Sequence, residues 1–283
     1  FARELQKDSS VQGAYPIHLK FNTGMNRLGF AVSDARAVRD FIEANPQLQL
    51  EGVATHLAQG DDAGVADGYS AMQMKMFSQV LASFHGLSFQ AHGLNSSGLV
   101  SLAFAQKKVP DPKRREFAQE WVWPQGARPG LALYGLKPAS QIHQVTELHP
   151  VLSWKSRIMQ LQTVAAGARV SYNGIWQAKL KSKIGVIPLG YADGFSRLLS
   201  NNHAVLCRGE RVPIVGIVCM DYFMVDLTAL ENKTGEVSYG EEIVLLGRQG
   251  QAEISADELA EKMGTISYEV VTSITERVPR KHV

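Results

Sequence analysis

Four polar side chains, Lys20, His56, Asn95 and Arg128, stand at or near the C-terminal ends of segments that read as β-strands. In the first of these, Ile17, Leu19 and Phe21 alternate with His18, Lys20 and Asn22, so Lys20 shares a face with polar neighbours. On the residues alone Lys20 is a catalytic lysine, a structural charge or an ordinary surface residue. Parallel βα units gather functional side chains where strands run into loops at their C-terminal ends. Four polar positions arriving at one such rim exceed what a plain apolar core predicts.

The elements that would carry them alternate in type. After IHLKF, Ser33 or Asp34 can cap a helix with Val38, Phe41 and Ile42 on one side. LEGVATHLA returns as a strand. A helix follows, with Tyr69, Met72, Met76, Phe77, Val80, Leu81 and Phe84 at helical spacing, its methionines serving as core. SFQAHGLN is the next strand, then a short helix around Leu99–Ala105, and RPGLALYG ends the series. Such alternation indicates parallel βα units. Beyond about residue 145 the text changes to strands separated by Gly, Asn and Asp turns, a mostly antiparallel β domain. One helix interrupts it, where Ser255 and Glu258 spell a capping box. Two domains are expected, 1–140 and 141–283, with the boundary in the Pro-containing stretch LKPASQIHQVTELHP.

With 283 residues, 45% of them hydrophobic and 20% charged, the chain has the composition of a soluble globular protein. A net charge of +2 points to no acidic partner, and the run KKVPDPKRR at 107–115 reads as a solvated loop, so no nucleic acid is expected. No stretch approaches the roughly 20 apolar residues of a membrane span. Cys207 and Cys219 have neither metal-ligand spacing nor a disulfide framework, so no metal is expected and a reducing, cytoplasmic setting is. The opening FARELQK reads as mid-helix without a starting Met, and a longer native N-terminus is expected.

Eight blocks carry a resemblance to a known family: HLKFNTGMNRLGF, THLA, NSS, RPGLALYG, VSYNGIW, PLGYADGFSRLLSN, RVPIVGIVCMDYFMVDL and ISYEVVTSITERVPR. In that order and spacing, over about residues 17 to 280, they resemble the alanine racemases, fold-type III enzymes that use pyridoxal phosphate (PLP). The resemblance implies an α/β chain: a PLP-binding (β/α)8 TIM-type barrel, of which only the later strands are expected here, followed by a mostly antiparallel β domain. It also implies that the segment holding the Schiff-base lysine lies outside this sequence.

By the same resemblance, Tyr172 is one of two catalytic bases. Racemisation removes the α-proton from one face and returns a proton to the other, so two bases on opposite faces satisfy the geometry. A free phenol ionises near pH 10, at about 10, so the role calls for nearby positive charge, which the family supplies through a histidine and an arginine matching His56 and Arg128. Arg128 is further implied as the partner of the PLP ring nitrogen, where a permanent cation weakens the electron sink that a carboxylate would strengthen. Ser96, Asn95, Gly130, Leu131 and Tyr268 fall in the cofactor-binding blocks, most of them at the phosphate end. Arg27 matches a residue contacting cofactor and substrate carboxylate. Met220 and Asp221, with Tyr172 and Tyr191, match residues contributed by a second subunit, which implies a homodimer with shared active sites. Lys20 matches a lysine that the family often carries carbamylated, as N6-carboxylysine, holding the arginine seven residues on. Asn22 stands where the family commonly has Asp. His18, His92 and His203 have no match and read as ordinary structural histidines.

The implied activity is interconversion of L- and D-alanine for peptidoglycan. The alternatives are a relaxed-specificity racemase of serine and other small amino acids, and a non-catalytic PLP-binding protein. A decarboxylase of the same fold type is disfavoured, because that group pairs the PLP nitrogen with a carboxylate.

Overall fold

The computed structural model describes residues 13–63, 65, 67–107, 126–138 and 147–283. The mid-helix reading of residues 1–7 and the loop reading of 108–115 lie outside the described residues. The chain divides into two compact units, Phe1–Leu148 and His149–Val283.

In the first unit β1 (Tyr15–Asn22), β2 (Phe30–Ala31), β3 (Leu48–Ala54), β4 (Gln90–Leu94) and β5 (Gly126–Ala127) form one sheet in the order β2-β1-β3-β4-β5. Every pairing is parallel. The connections carry α1 (Ala35–Glu43), α2 (Tyr69–Ser83) and α3 (Ser96–Lys107). Alternate side chains of β1 divide as period two requires: Leu19 and Phe21 join Ile42, Val53, Met74, Phe77, Val80 and Phe84 in the core, and Lys20 lies on the other face. His18 shares that face, and a Cβ on Gly52 would stand 2.2 Å from its Nδ1 atom, so any side chain there would force the imidazole to move.

Three local expectations need correction. Neither Ser33 nor Asp34 caps α1 through its side chain; a 3-10 turn at Val32–Asp34 leads into it instead, and the Ser33 hydroxyl donates to Asp34. Phe41 is exposed, because the apolar stripe of α1 is narrow and centres on Val38 and Ile42. On α2, Tyr69 and Met72 face outward while Met74 and the amide of Gln73 are buried, a rotation of the inward face by about one residue in the first turns; from Phe77 onward the expected face is the buried one. That rotation trades apolar contact for three hydrogen bonds made by Gln73, described below.

The second unit is antiparallel in all its described pairings. β6 (Trp154–Arg157), β7 (Gln160–Val164), β8 (Arg169–Val170), β9 (Trp176–Gln177), β10 (Ser182–Ile187), β11 (Ala204–Cys207), β12 (Glu210–Pro213), β13 (Phe223–Asp226), β14 (Glu242–Gln249) and β15 (Ala252–Ile254) form sheets ordered β13-β10-β7, β12-β11-β14-β15 with β6 on β14, and β8-β9. Three helices attach: α4 (Thr228–Thr234), α5 (Ala256–Met263) and α6 (Ser267–Ser273). Trp154, Phe195 and Phe223 pack in sequence through the core, the first pair edge-on and the second tilted, with ring centroids 5.8 and 4.8 Å apart. At α5 half of the expected capping box forms: Ser255 accepts from the Glu258 N–H at 3.1 Å. The Glu258 carboxylate turns to Arg211 instead, because a forked guanidinium at 2.5 and 2.9 Å is the stronger partner.

Two outcomes follow. Phe77, fully buried between α2 and the sheet, gives a destabilisation of about 3–5 kcal/mol as Phe77→Ala in urea unfolding. His203 is buried, and that burial pushes its imidazole down, with Arg211 and Lys262 adding to the effect and Glu258 opposing it. The unfolded chain therefore takes up a proton first, from about pH 6.5 downward. Stability is held above that pH and falls as the pH drops toward the folded value; urea midpoints between pH 7 and 5 should decline, less steeply for His203→Gln.

Candidate active site

The rim of the parallel sheet is organised around Arg128, which follows β5. One terminal nitrogen donates to the Thr55 carbonyl at 2.7 Å and lies 3.4 Å from His56 Nδ1. The other donates to the His92 carbonyl at 3.1 Å and to the Nδ1 of the same residue. A guanidinium can only donate, so both histidines accept through Nδ1 and carry their proton on Nε2. His92 can then donate from Nε2 to His18 Nδ1, 2.7 Å away. Burial depresses the proton affinity of both His56 and His92, and Arg128 depresses it further. Both are neutral at pH 7. Burial also disfavours the Arg128 charge, so the site tolerates this cation only by engaging it with acceptors.

Two further cations face the same region. Lys20 is held below the ordinary range by burial, then by Arg27 and Arg128. Arg27 is exposed on a turn built by Asn22, whose Oδ1 accepts from the N–H groups of Gly24 (3.1 Å) and Asn26 (2.8 Å) and whose Nδ2 donates to the Asn26 side chain at 2.9 Å. The last bond needs an amide: an aspartate, an acceptor only when ionised, could not make it. Asn22 thus has a local structural reason.

Beside this cluster the hydroxyl of Ser96 meets the backbone N–H groups that follow Arg128. Ser96, buried at the start of α3, accepts on its hydroxyl from the N–H groups of Gly130 (2.8 Å) and Ala132 (3.3 Å). Leu131 begins a 3-10 turn there, and a Cβ placed on Gly130 would meet nothing within 4 Å, so the space over that backbone is open. The Asn95 amide is engaged locally, accepting from Gly98 N at 2.9 Å as the cap of α3 and donating to the Leu57 carbonyl at 3.2 Å. These residues fit PLP at its phosphate and ring-nitrogen ends: hydroxyl and backbone N–H donors at a helix start for the first, a guanidinium for the second.

Four residues of this rim were invisible as site residues in the sequence. His92 and His18 were set aside as ordinary, although both have the parity of Lys20 on their strands. Thr55 is fully buried, its hydroxyl donating to the Phe21 carbonyl at 3.1 Å and meeting Thr23 at 2.6 Å. Gln73 accepts from Ala58 N (2.8 Å) and donates to the His56 carbonyl (3.0 Å) and Thr23 (3.4 Å), tying the two loops that bear Arg27 and His56. A polar residue inside an otherwise apolar helical stripe was the available signal.

The second unit presents the remaining predicted residues on turns. Tyr172 is 69% exposed. It stands between Ser171 (φ 67°, ψ −178°) and Asn173 (φ 59°), conformations that cost on the order of 1–3 kcal/mol each in non-glycine residues. The Ser171 hydroxyl fastens the turn to the Ile217 carbonyl at 2.8 Å. Tyr191 and Met220 are exposed and Asp221 half-exposed on two adjoining turns, and burial pushes the phenol of Tyr268, in the first turn of α6, up.

Two family profiles match: "Alanine racemase, N-terminal domain" over residues 2–138 and "Alanine racemase, C-terminal domain" over 151–282. The chain belongs to the alanine racemase family. An alanine racemase of Halothermothrix orenii is 37% identical over 269 residues, covering 94% of this chain and 65% of the relative. The crystal structure of alanine racemase from E. faecalis superposes with a TM-score of 0.80 at 31% identity, covering 95% of this chain and 66% of that one. Alanine racemase from Bartonella henselae, solved with covalently bound pyridoxal phosphate, gives 0.77 at 25% identity over 100% and 69%. The fold class is that of these racemases: the parallel unit belongs to a TIM-type barrel and the antiparallel unit to the β domain. The chain spans about two thirds of the length of the relatives it matches.

The neutral state of His56 has a direct check. In an NMR titration its imidazole should ionise below the ordinary value of about 6.5. Arg128→Gln, which removes the second-largest cause of that depression, should move the midpoint back upward.

Proposed function

We propose that this chain is the greater part of an alanine racemase, a PLP-dependent isomerase interconverting L- and D-alanine by two bases. The observation that carries the reading is Arg128 bonded toward His56 beside the Ser96–Gly130 donor set, in a chain of this family. Bound PLP would supply an electron sink for the charge left when the α-proton departs. Ser96, Gly130, Leu131 and Tyr268 would hold its phosphate, Arg128 its ring nitrogen, and Asn95, by capping α3, the helix start beneath. The fully protonated guanidinium leaves that nitrogen neutral, which moderates the sink and limits side reactions. His56, neutral and protonated on Nε2, would donate to the oxygen of a second copy's Tyr172, favouring its charged, proton-accepting form. The covalent anchor and the second base are assigned to residues outside this sequence.

Arg27 would bind the substrate carboxylate. Tyr172, Tyr191, Met220 and Asp221 are assigned to the site of a second copy, giving a homodimer with shared active sites; their exposure on turns suits that role. Two domains, 1–140 and 141–283, follow. A narrow entrance at Tyr191 and Tyr268 would exclude larger side chains more than it grips a methyl group. D-alanine would serve peptidoglycan synthesis in the cytoplasm; no described helix is long and apolar enough to cross a membrane. Lys20 is assigned as N6-carboxylysine. Its lowered proton affinity favours the neutral amine that attacks carbon dioxide and sheds a proton, and the resulting carbamate would place one anion between Arg27 and Arg128.

Tyr172→Phe in the full-length holoenzyme should lower kcat in both directions by about 10²–10⁴-fold; unaltered racemisation would refute the two-base assignment. Rates on D-serine and D-lysine matching D-alanine would favour the relaxed-specificity alternative. The Lys20 assignment expects a carbamate carbon resonance after ¹³C-bicarbonate labelling, lost in Lys20→Gln.

A further inference from the structure

The turns bearing Tyr191 and Asp221 are joined by a third segment that follows α6. Tyr191 N donates to the Cys219 carbonyl and Ala192 N to the Met220 carbonyl, both at 3.0 Å. A Cβ on Gly190 would stand 2.2 Å from the Cys219 oxygen, so the approach of these backbones admits no side chain. The first turn closes on itself through Asp193, which accepts from Gly190 N at 2.9 Å. Thr275 then donates from its N–H to the Asp193 carbonyl and from its hydroxyl to the Ala192 carbonyl, each at 3.1 Å, and Ser273 donates to the Gly194 carbonyl at 3.2 Å.

Arg277 completes the arrangement. Its Nε lies 3.3 Å from Asp193 Oδ1, and its Nη2 donates to Asp221 Oδ1 at 2.8 Å. One rigid fork therefore spans the nearly buried carboxylate that shapes the Tyr191 turn and the half-exposed carboxylate on the Met220 turn. A lysine, a point charge on a flexible stem, could not set both directions at once. An isolated exposed ion pair contributes little, but here the fork sits on turns already bonded to each other, and what remains for it to decide is where the Asp221 carboxylate points. We infer that Arg277 is a positioning residue for substrate recognition, holding Asp221 and Met220 in register with Tyr191. This rests on the reading above that those three residues border the substrate.

The test uses the full-length holoenzyme. Arg277→Met should raise KM for alanine about fivefold or more with kcat within about twofold, the signature of lost uniform binding. The same substitution added to Asp221→Ala should raise KM no further, because the acceptor that Arg277 holds is gone. An unchanged KM, a fall in kcat alone, or an equal rise in both backgrounds would overturn the proposal. Arg277→Lys should shift KM in the same direction with smaller amplitude, and serves if the methionine variant does not accumulate folded. Hydrogen exchange decides independently of activity: peptides spanning 188–195 and 217–223 should exchange about tenfold faster or more in Arg277→Met, with β10 and β14 unchanged. Unaltered exchange would overturn the positioning role even if the protein racemised nothing. A wild-type protein inactive on alanine with altered exchange would instead sink the functional reading and leave Arg277 as the clamp of these turns.

Discussion

Arg128 keeps its proton although burial disfavours its charge, and the sheet rim is arranged around that fact. The guanidinium draws two main-chain carbonyls, of Thr55 and His92, and two imidazoles toward one point. Strand ends that would otherwise only lie side by side are thereby cross-linked by charge-assisted hydrogen bonds. Because the arginine can only donate, it also fixes the tautomer of each histidine, and its field adds to the burial that lowers the proton affinity of both. Position and tautomer come from one interaction.

The two units solve the presentation of polar groups differently. In the parallel unit the side chains issue from strand ends and are held from beneath by buried polar residues. Gln73 is the clearest case, since α2 turns its amide rather than Met72 inward to bond the His56 loop. In the antiparallel unit the exposed residues ride on turns, and rigidity has to come from turn-to-turn bonding. The left-handed conformations of Ser171 and Asn173, the backbone contact at Gly190 and the fork of Arg277 all serve that end.

Much of this was legible in the residue pattern. The alternation around Lys20, the helical spacing of Phe77, Val80 and Phe84, and the Ser255 cap all read correctly, because each reports a local period or a hydrogen bond within one turn. What failed was non-local. Glu258 left its capping box for Arg211, forty-seven positions away. The helical period of α2 was right, and so was its phase from Phe77 onward, but its first turns are rotated by about a residue, since hydrophobicity alone cannot weigh Met72 against a buried glutamine with three hydrogen-bond partners.

By itself the sequence determined the order and type of the elements and the parallel and antiparallel halves. Those follow from side-chain periodicity and from short motifs, which are properties of neighbours in the chain. Only the tertiary structure decided that His92 and His18 stand in line with Arg128. It alone brought Arg277 between Asp193 and Asp221. In each case the deciding partner is a hydrogen bond whose two ends meet only when separate turns or strands come together, and no local period encodes that meeting.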